Sequence, residues 1–250
     1  MSLEEKVWRV MSLGKISHDE AMRIQESVYA QRKQMKTADT TIFLEYPPII
    51  TKGNTELWNK IHASPEELAE KNIQVYQEDR GGGTAYLGPG QLIMYNILSL
   101  KGLGLSPYTY QRKMEEVAAM LAGNLGFQVQ YQAETLEVDT GEGKKGKKYL
   151  SVWYSHQGKN CKFFSQGHRI PDYDITKFGA VFYVSTESLR HMQLVNQCGF
   201  NSGQVGICSI EQILGHSVSH EEIKDMLVKA MQKTFGYKKA EQEVPANATA

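Results

Sequence analysis

The chain has 250 residues, 41% hydrophobic, 22% charged and 10% aromatic, and its 28 basic and 28 acidic side chains cancel. That composition supplies one sizeable core, and the absence of a basic excess argues against nucleic acid as a partner. No run approaches the roughly 20 apolar residues that span a bilayer, and the acidic start Met1-Ser2-Leu3-Glu4-Glu5-Lys6 has no signal-peptide core, so a cytoplasmic protein without a membrane partner is expected.

Taken along the chain, Ser17-His18-Asp19-Glu20 reads as a capping box opening a helix to about Lys36. Thr41-Ile42-Phe43-Leu44-Glu45 reads as a strand stopped by Pro47-Pro48. Ser64-Pro65-Glu66-Glu67 starts a short helix ending near Lys71-Asn72. Ile73–Tyr76 alternates as a strand, and Leu92–Leu98 is the next one after a glycine-rich stretch. Ser106-Pro107 opens a long helix with Met114, Val117, Ala118 and Leu121 on one face, ended by Gly123 and Gly126. The polar segment 139–148 is a solvated hairpin connection, followed by strands at 149–156, 160–168 and 179–185. Ser219-His220-Glu221-Glu222 caps a last helix to Phe235 with Gly236 as its stop, and residues 240–250 are expected as a disordered tail. The pattern predicts one mixed α/β domain over residues 1–239, without repeats or a linker.

Cys161, Cys198 and Cys208 make an odd count with no CxxC pair, so neither a disulfide framework nor a zinc site is expected. The segment Arg80-Gly81-Gly82-Gly83-Thr84-Ala85-Tyr86-Leu87-Gly88-Pro89-Gly90-Gln91 follows a strand. Its glycines let the backbone approach a ligand and aim N–H groups at it. It has neither the GxGxxG spacing of a dinucleotide site nor the GK[ST] of a P-loop; the plain alternative is a turn. A lone cysteine is more often a buried small hydrophobe than a nucleophile. Cys198 differs in preceding Gly199, whose N–H is free to serve an oxyanion. A nucleophilic thiol needs a base or a nearby cation, and no histidine is tied to Cys198 by spacing; a lysine ammonium can stabilise the thiolate. Lys162 on its own is one lysine among many.

The chain resembles the lipoyl(octanoyl) transferase family over nearly its whole length. Leu44-Glu45-Tyr46-Pro47-Pro48 with Thr51-Lys52-Gly53 is similar to that family's opening strand and turn, and Arg80 through Leu92 to its substrate loop. Val152-Trp153 followed by Lys162-Phe163-Phe164-Ser165-Gln166-Gly167-His168-Arg169-Ile170 resembles the strand carrying its catalytic lysine, and Gln197-Cys198-Gly199 its nucleophile motif. There are departures. Leu87 stands for a histidine, Phe178-Gly179-Ala180-Val181-Phe182-Tyr183 for a His-Gly-x-Ala-Leu-Asn strand, and Gln197 for a proline. The nucleophile and its lysine persist while polar neighbours turn apolar, which bears on the acyl substrate more than on the reaction.

The resemblance implies the fold of the biotin and lipoate ligase catalytic domain, a mixed sheet flanked by helices. It implies an acyltransferase with Cys198 and Lys162 catalytic. The substrate site comprises Arg80, Gly81, Gly82, Gly83, Thr84, Ala85, Tyr86 and Leu87, with Ser165, Gln166, Gly167, Gly179, Ala180 and Val181. Neither metal nor cofactor is expected, because a thioester supplies the activation. The implied donor is an acyl carrier protein. The acceptor is a lipoyl domain of a 2-oxoacid dehydrogenase or the glycine-cleavage H protein, and the expected state is a monomer. Two alternatives remain: an ATP-dependent lipoate or biotin ligase, and a non-catalytic binder of carrier proteins or lipoyl domains.

Overall fold

The structure, a computed structural model, describes residues 7–56, 59–131, 135–139, 145–149, 152–156, 159–195 and 206–243. Helix starts follow local chemistry. Helix α1 (His18–Lys33) is capped by Ser17, whose side chain accepts from the Glu20 N–H; Glu20 itself pairs with Arg23 instead of reaching back to Ser17. Ser64 caps α2 (Pro65–Glu70), and the long helix α4 (Pro107–Asn124) follows the short α3 (Leu100–Leu103). Gly123 lies inside α4, and the chain turns at Gly126 with φ +85°. The α4 box closes between Ser106 and Thr109. After α5 (Ile210–Leu214), Ser219 and Glu222 close the box of α6 (His220–Phe235).

Six strands form the main sheet. They are β1 (Val7–Lys15), β2 (Asp39–Glu45), β6 (Gln91–Ile97), β12 (Phe164–Arg169), β13 (Lys177–Tyr183) and β15 (Lys239–Glu243), in the order β12-β13-β6-β2-β1-β15. Parallel and antiparallel pairs are mixed, since β1 runs parallel to both β2 and β15. Residues on β2, β6 and β13 alternate between the two faces. Ile42, Leu44, Ile93, Tyr95, Val181 and Tyr183 pack toward α1, whereas Phe43, Leu92, Met94, Ala180 and Phe182 join α4 and α6 in a second core. The expected mixed sheet flanked by helices is therefore the observed fold.

A three-stranded sheet of β4 (Gln74–Gln77), β3 (Ile49–Lys52) and β5 (Ala85–Leu87) carries the glycine-rich segment between its last two members in chain order. A four-stranded sheet joins β14 (Gly206–Ile207), β11 (Lys159–Lys162), β10 (Val152–His156) and β7 (Gln130–Tyr131), and β8 (Thr135–Asp139) pairs with β9 (Lys145–Tyr149). Three expectations change here. The strand expected at 160–168 is two, β11 and β12, which belong to different sheets. Lys145–Lys148 belong to a strand rather than to the hairpin connection, and Ala240–Glu243 pair with β1 instead of starting a tail. Both segments are polar, and each finds its hydrogen bonds in a partner strand that composition does not reveal. Strand β12 is an edge of the main sheet, and that edge meets the glycine-rich loop.

Candidate active site

A cavity of about 340 Å³ lies where the free edge of β12 faces the loop after β4. Residues Arg80 through Leu87 line it, together with Lys162, Ser165, Gln166 and Gly167, and with Gly179, Ala180 and Val181. Every expected substrate residue and the expected lysine thus share one cavity. Cys198 and its neighbours Gln197 and Gly199 lie outside the described residues. The structure also adds Glu78, Ile93, Tyr95, Gln111 and His168 to the wall, and it places there Phe178 and Tyr183, the positions noted as departures. Ile93 and Tyr95 follow from the alternation of β6, whereas Glu78 carried no signal beyond its place two residues before Arg80.

The loop is held from beneath by a buried ionic chain. Arg80 donates from Nε to Glu78 Oε2 at 2.7 Å, and His18 Nε2 lies 3.0 Å from Glu78 Oε1. Burial by itself would raise the Glu78 carboxyl, but the hydrogen bond with His18 and the charge of Arg80 outweigh it and hold the group below its ordinary value. His18 stacks on Tyr76 at 4.0 Å. Arg80 sends Nη1 to the carbonyls of Gly81 and Gly83 at 3.1 and 2.9 Å, and Nη2 to Thr51 Oγ1 and O at 2.6 and 3.2 Å. The five N–H donors of a guanidinium are thereby all engaged. Arg80 shapes the loop and has no donor left for a ligand.

One side of the cavity is apolar, made by Leu87, Ile93, Phe178 and Val181, with Tyr95 hydrogen-bonded to Tyr46 at 2.9 Å between hydroxyls. Burial pushes the Tyr95 hydroxyl well above its ordinary value, so it stays protonated. Tyr183 meets Ser165 Oγ at 3.0 Å, so the tyrosine in place of the family asparagine keeps a polar contact. Lys162 also lines the cavity and is buried, with Nζ 5.1 Å from the Trp153 ring centre. Strand β11 fixes it twice: Cys161 pairs with Tyr154 on β10, and Lys162 pairs with Ile207 on β14. Cys208 N donates to Lys162 O at 2.9 Å.

The pairing of β12 decides which of its amides face the cavity. Tyr183 N donates to Phe163 O at 2.9 Å, and the register runs Ser165↔Val181, Gln166↔Ala180 and Gly167↔Gly179. In an antiparallel ladder of that phase, Ser165 and Gly167 turn their peptide groups toward β13, while Gln166 turns its own toward the free edge. Gly179 is required because a Cβ there would stand 2.1 Å from Met94 O.

Among known proteins, the family described as the lipoyl protein ligase A/B catalytic domain matches residues 17–232. An octanoyltransferase of Caldicellulosiruptor bescii is 31% identical over 229 residues, covering 91% of each chain. One from Chloroflexus aggregans is 30% identical over 226 residues, covering 90% of this chain and 94% of that one. Among solved structures, the bi-partite lipoate protein ligase of Thermoplasma acidophilum superposes with a TM-score of 0.66 at 13% identity, over 99% of this chain and 89% of its own. Lipoate-protein ligase A bound with ATP gives 0.65 at 14% identity, over 96% of this chain and 90% of its own. These two likenesses are of fold.

Proposed function

Because the chain belongs to the lipoyl protein ligase A/B catalytic-domain family, we propose that it transfers an octanoyl group in protein lipoylation. The group passes from the thioester of an acyl carrier protein to a lysine amine of a lipoyl domain, such as that of a 2-oxoacid dehydrogenase or the glycine-cleavage H protein. One acyltransferase domain extends through β15 to Glu243. The observation that carries the reading is the meeting of Lys162, the loop Arg80–Leu87 and an apolar wall in one cavity. The relatives named octanoyltransferase supply the reaction class.

In the first step the Cys198 thiolate attacks the thioester carbonyl. A new C–S bond forms, the carrier's C–S bond breaks, and the departing thiolate takes a proton from the Lys162 ammonium. In the second, the acceptor amine attacks the acyl-enzyme, a C–N bond forms, and the Cys198 sulfur leaves while Lys162 takes up the amine's proton. The Gly199 N–H and the outward N–H of Gln166 stabilise the tetrahedral oxygen. Support for pairing Cys198 with Lys162 comes from the two motifs, which resemble the family's nucleophile and its catalytic lysine.

The test is intact-mass measurement after incubation with octanoyl carrier protein, ATP omitted. A single octanoyl adduct that a lipoyl domain then removes is expected. An inert thioester, with product formed from octanoate and ATP, would move the chain to the ligases. Binding without an adduct would leave it a non-catalytic binder.

A further inference from the structure

The loop that lines the cavity has an uneven hydrogen-bond account. All four carbonyls from Arg80 to Gly83 are taken: by Asn54 N at 2.9 Å, Arg80 Nη1 at 3.1 Å, Thr55 N at 3.0 Å, and Gly53 N with Arg80 Nη1 at 3.3 and 2.9 Å. Gly81 N donates to His168 O at 3.1 Å, which ties the loop to the edge of β12. Among the described residues, the N–H groups of Gly82 and Gly83 meet no acceptor. Gly83 is nevertheless buried, and both residues line the cavity. Buried peptide donors are rarely left unmatched, and successive N–H groups in a concave loop bind oxygen. Gly82 has φ +86°, the left-handed conformation that such a turn of the backbone needs.

The electrostatics narrow the kind of oxygen. Arg80 is the loop's own cation, but its donors are consumed and its charge is matched by Glu78. The loop therefore offers peptide dipoles without net charge, which suits a carbonyl better than a phosphate.

If the acyl-transfer reading holds, the oxygens to choose from are few. An octanoyl chain carries a single oxygen, on the carbon that Cys198 attacks. The acceptor lysine brings four methylenes and an amine. The next oxygen on the donor belongs to its thiol arm, whose sulfur is joined through two carbons to a secondary amide. That amide enters the cavity whenever the thioester reaches the nucleophile. We propose that the N–H groups of Gly82 and Gly83 hold the carbonyl of this amide, so that the loop recognises the leaving group. Arg80 is the positioning residue that turns the loop's carbonyls away.

The test compares two octanoyl thioesters as acyl donors to the protein, one of N-acetylcysteamine and one of 1-pentanethiol, which replaces the amide by methylenes. Rates of octanoyl-adduct formation are divided by each thioester's rate of exchange with free cysteine, which removes intrinsic reactivity. Two hydrogen bonds to a carbonyl predict about a tenfold preference for the amide-bearing donor. In Gly83→Pro, which removes one N–H, the preference should shrink toward unity. Equal corrected rates in the unaltered protein overturn the assignment whether or not the variant folds. A full preference surviving in folded Gly83→Pro overturns it too, because the amide is then read elsewhere. Failure of both thioesters to acylate would instead reject the acyl-transfer reading, and the assignment with it.

Discussion

Phe178 and Gln25 are joined by a hydrogen bond of 2.7 Å, from the peptide N–H of β13 to the side-chain oxygen of a fully buried glutamine on α1. Phe178 has φ +58°, a left-handed conformation that costs a non-glycine residue about 1–2 kcal/mol. Its ring meets Tyr95 edge-on at 5.7 Å and forms part of the apolar wall. Replacing Gln25 with Leu leaves a buried N–H without an acceptor, at a cost of about 1–3 kcal/mol. Urea unfolding should show that loss, and KM for the octanoyl donor should rise as the wall loosens. An unchanged midpoint would mean that the strained residue is held by packing alone.

Glu78 links the loop to α1, and its effect depends on pH. Its carboxyl lies below the unfolded value of about 4.3. Its stabilisation is therefore present above that pH and lost as pH falls through the folded value. Glu78→Gln should lower stability near neutrality by about 3 kcal/mol, since it strips a buried Arg80 of its partner, and should flatten the acid limb of the stability curve. Denaturant midpoints between pH 3 and pH 7 measure both effects. Parallel curves for the two proteins would show that the acid limb comes from other carboxylates.

Cys161 and Cys208 are both buried. Burial first, then the neighbouring Cys161, pushes the Cys208 thiol well above its ordinary value. Iodoacetamide near neutral pH should spare both, and Cys161→Ser and Cys208→Ser should keep octanoyl capture. Cys198→Ser should abolish it, because a hydroxyl is a far weaker nucleophile without a strong base. Peptide mapping of the adduct to Cys161 or Cys208 would reassign the nucleophile.

Lys162→Met keeps the length of the stem on the Trp153 ring and removes the charge. The Cys198 thiol should then titrate nearer its free value of about 8.5. Alkylation at about pH 7 should slow, though by less than the lost thiolate fraction, because a more basic thiolate is intrinsically more nucleophilic. Transfer should fall further than alkylation, since the lysine also carries the proton. The pH profile of iodoacetamide labelling in both proteins decides this; superimposed profiles would remove Lys162 from the activation of the thiol.

Helices α1, α2, α4 and α6 were legible because Ser17, Ser64, Ser106 and Ser219 announce them locally, and each accepts the expected backbone N–H; α3 and α5, too short to show a helical period, were not. Strands β1, β3 and β15 were not. Their pairing joins distant parts of the chain, and Lys239-Ala240-Glu241-Gln242-Glu243 reads as plain polar sequence until β1 lies beside it. In the site, the glycine loop stood out by its own residues, and Lys162 was found through motif resemblance. Glu78 and His168 were missed because each becomes informative only when the β12 edge and the loop are brought together. Arg80 was expected to bind substrate. Its residue type permits that, but only the geometry reveals that its donors are already spent.

Strand β15 also bears on how the molecule comes into being. The outer neighbour of β1 is β15, the last strand among the described residues, paired from Val7↔Lys239 to Met11↔Glu243. Most of the described chain separates the two strands, so during synthesis β1 waits with one edge open until residues 239–243 have been made. An open strand edge invites foreign pairing, and contacts so distant in sequence form slowly. A nascent chain stalled before residue 239 should therefore be the aggregation-prone species, and a chaperone that shields β1 should raise the yield of the full-length protein.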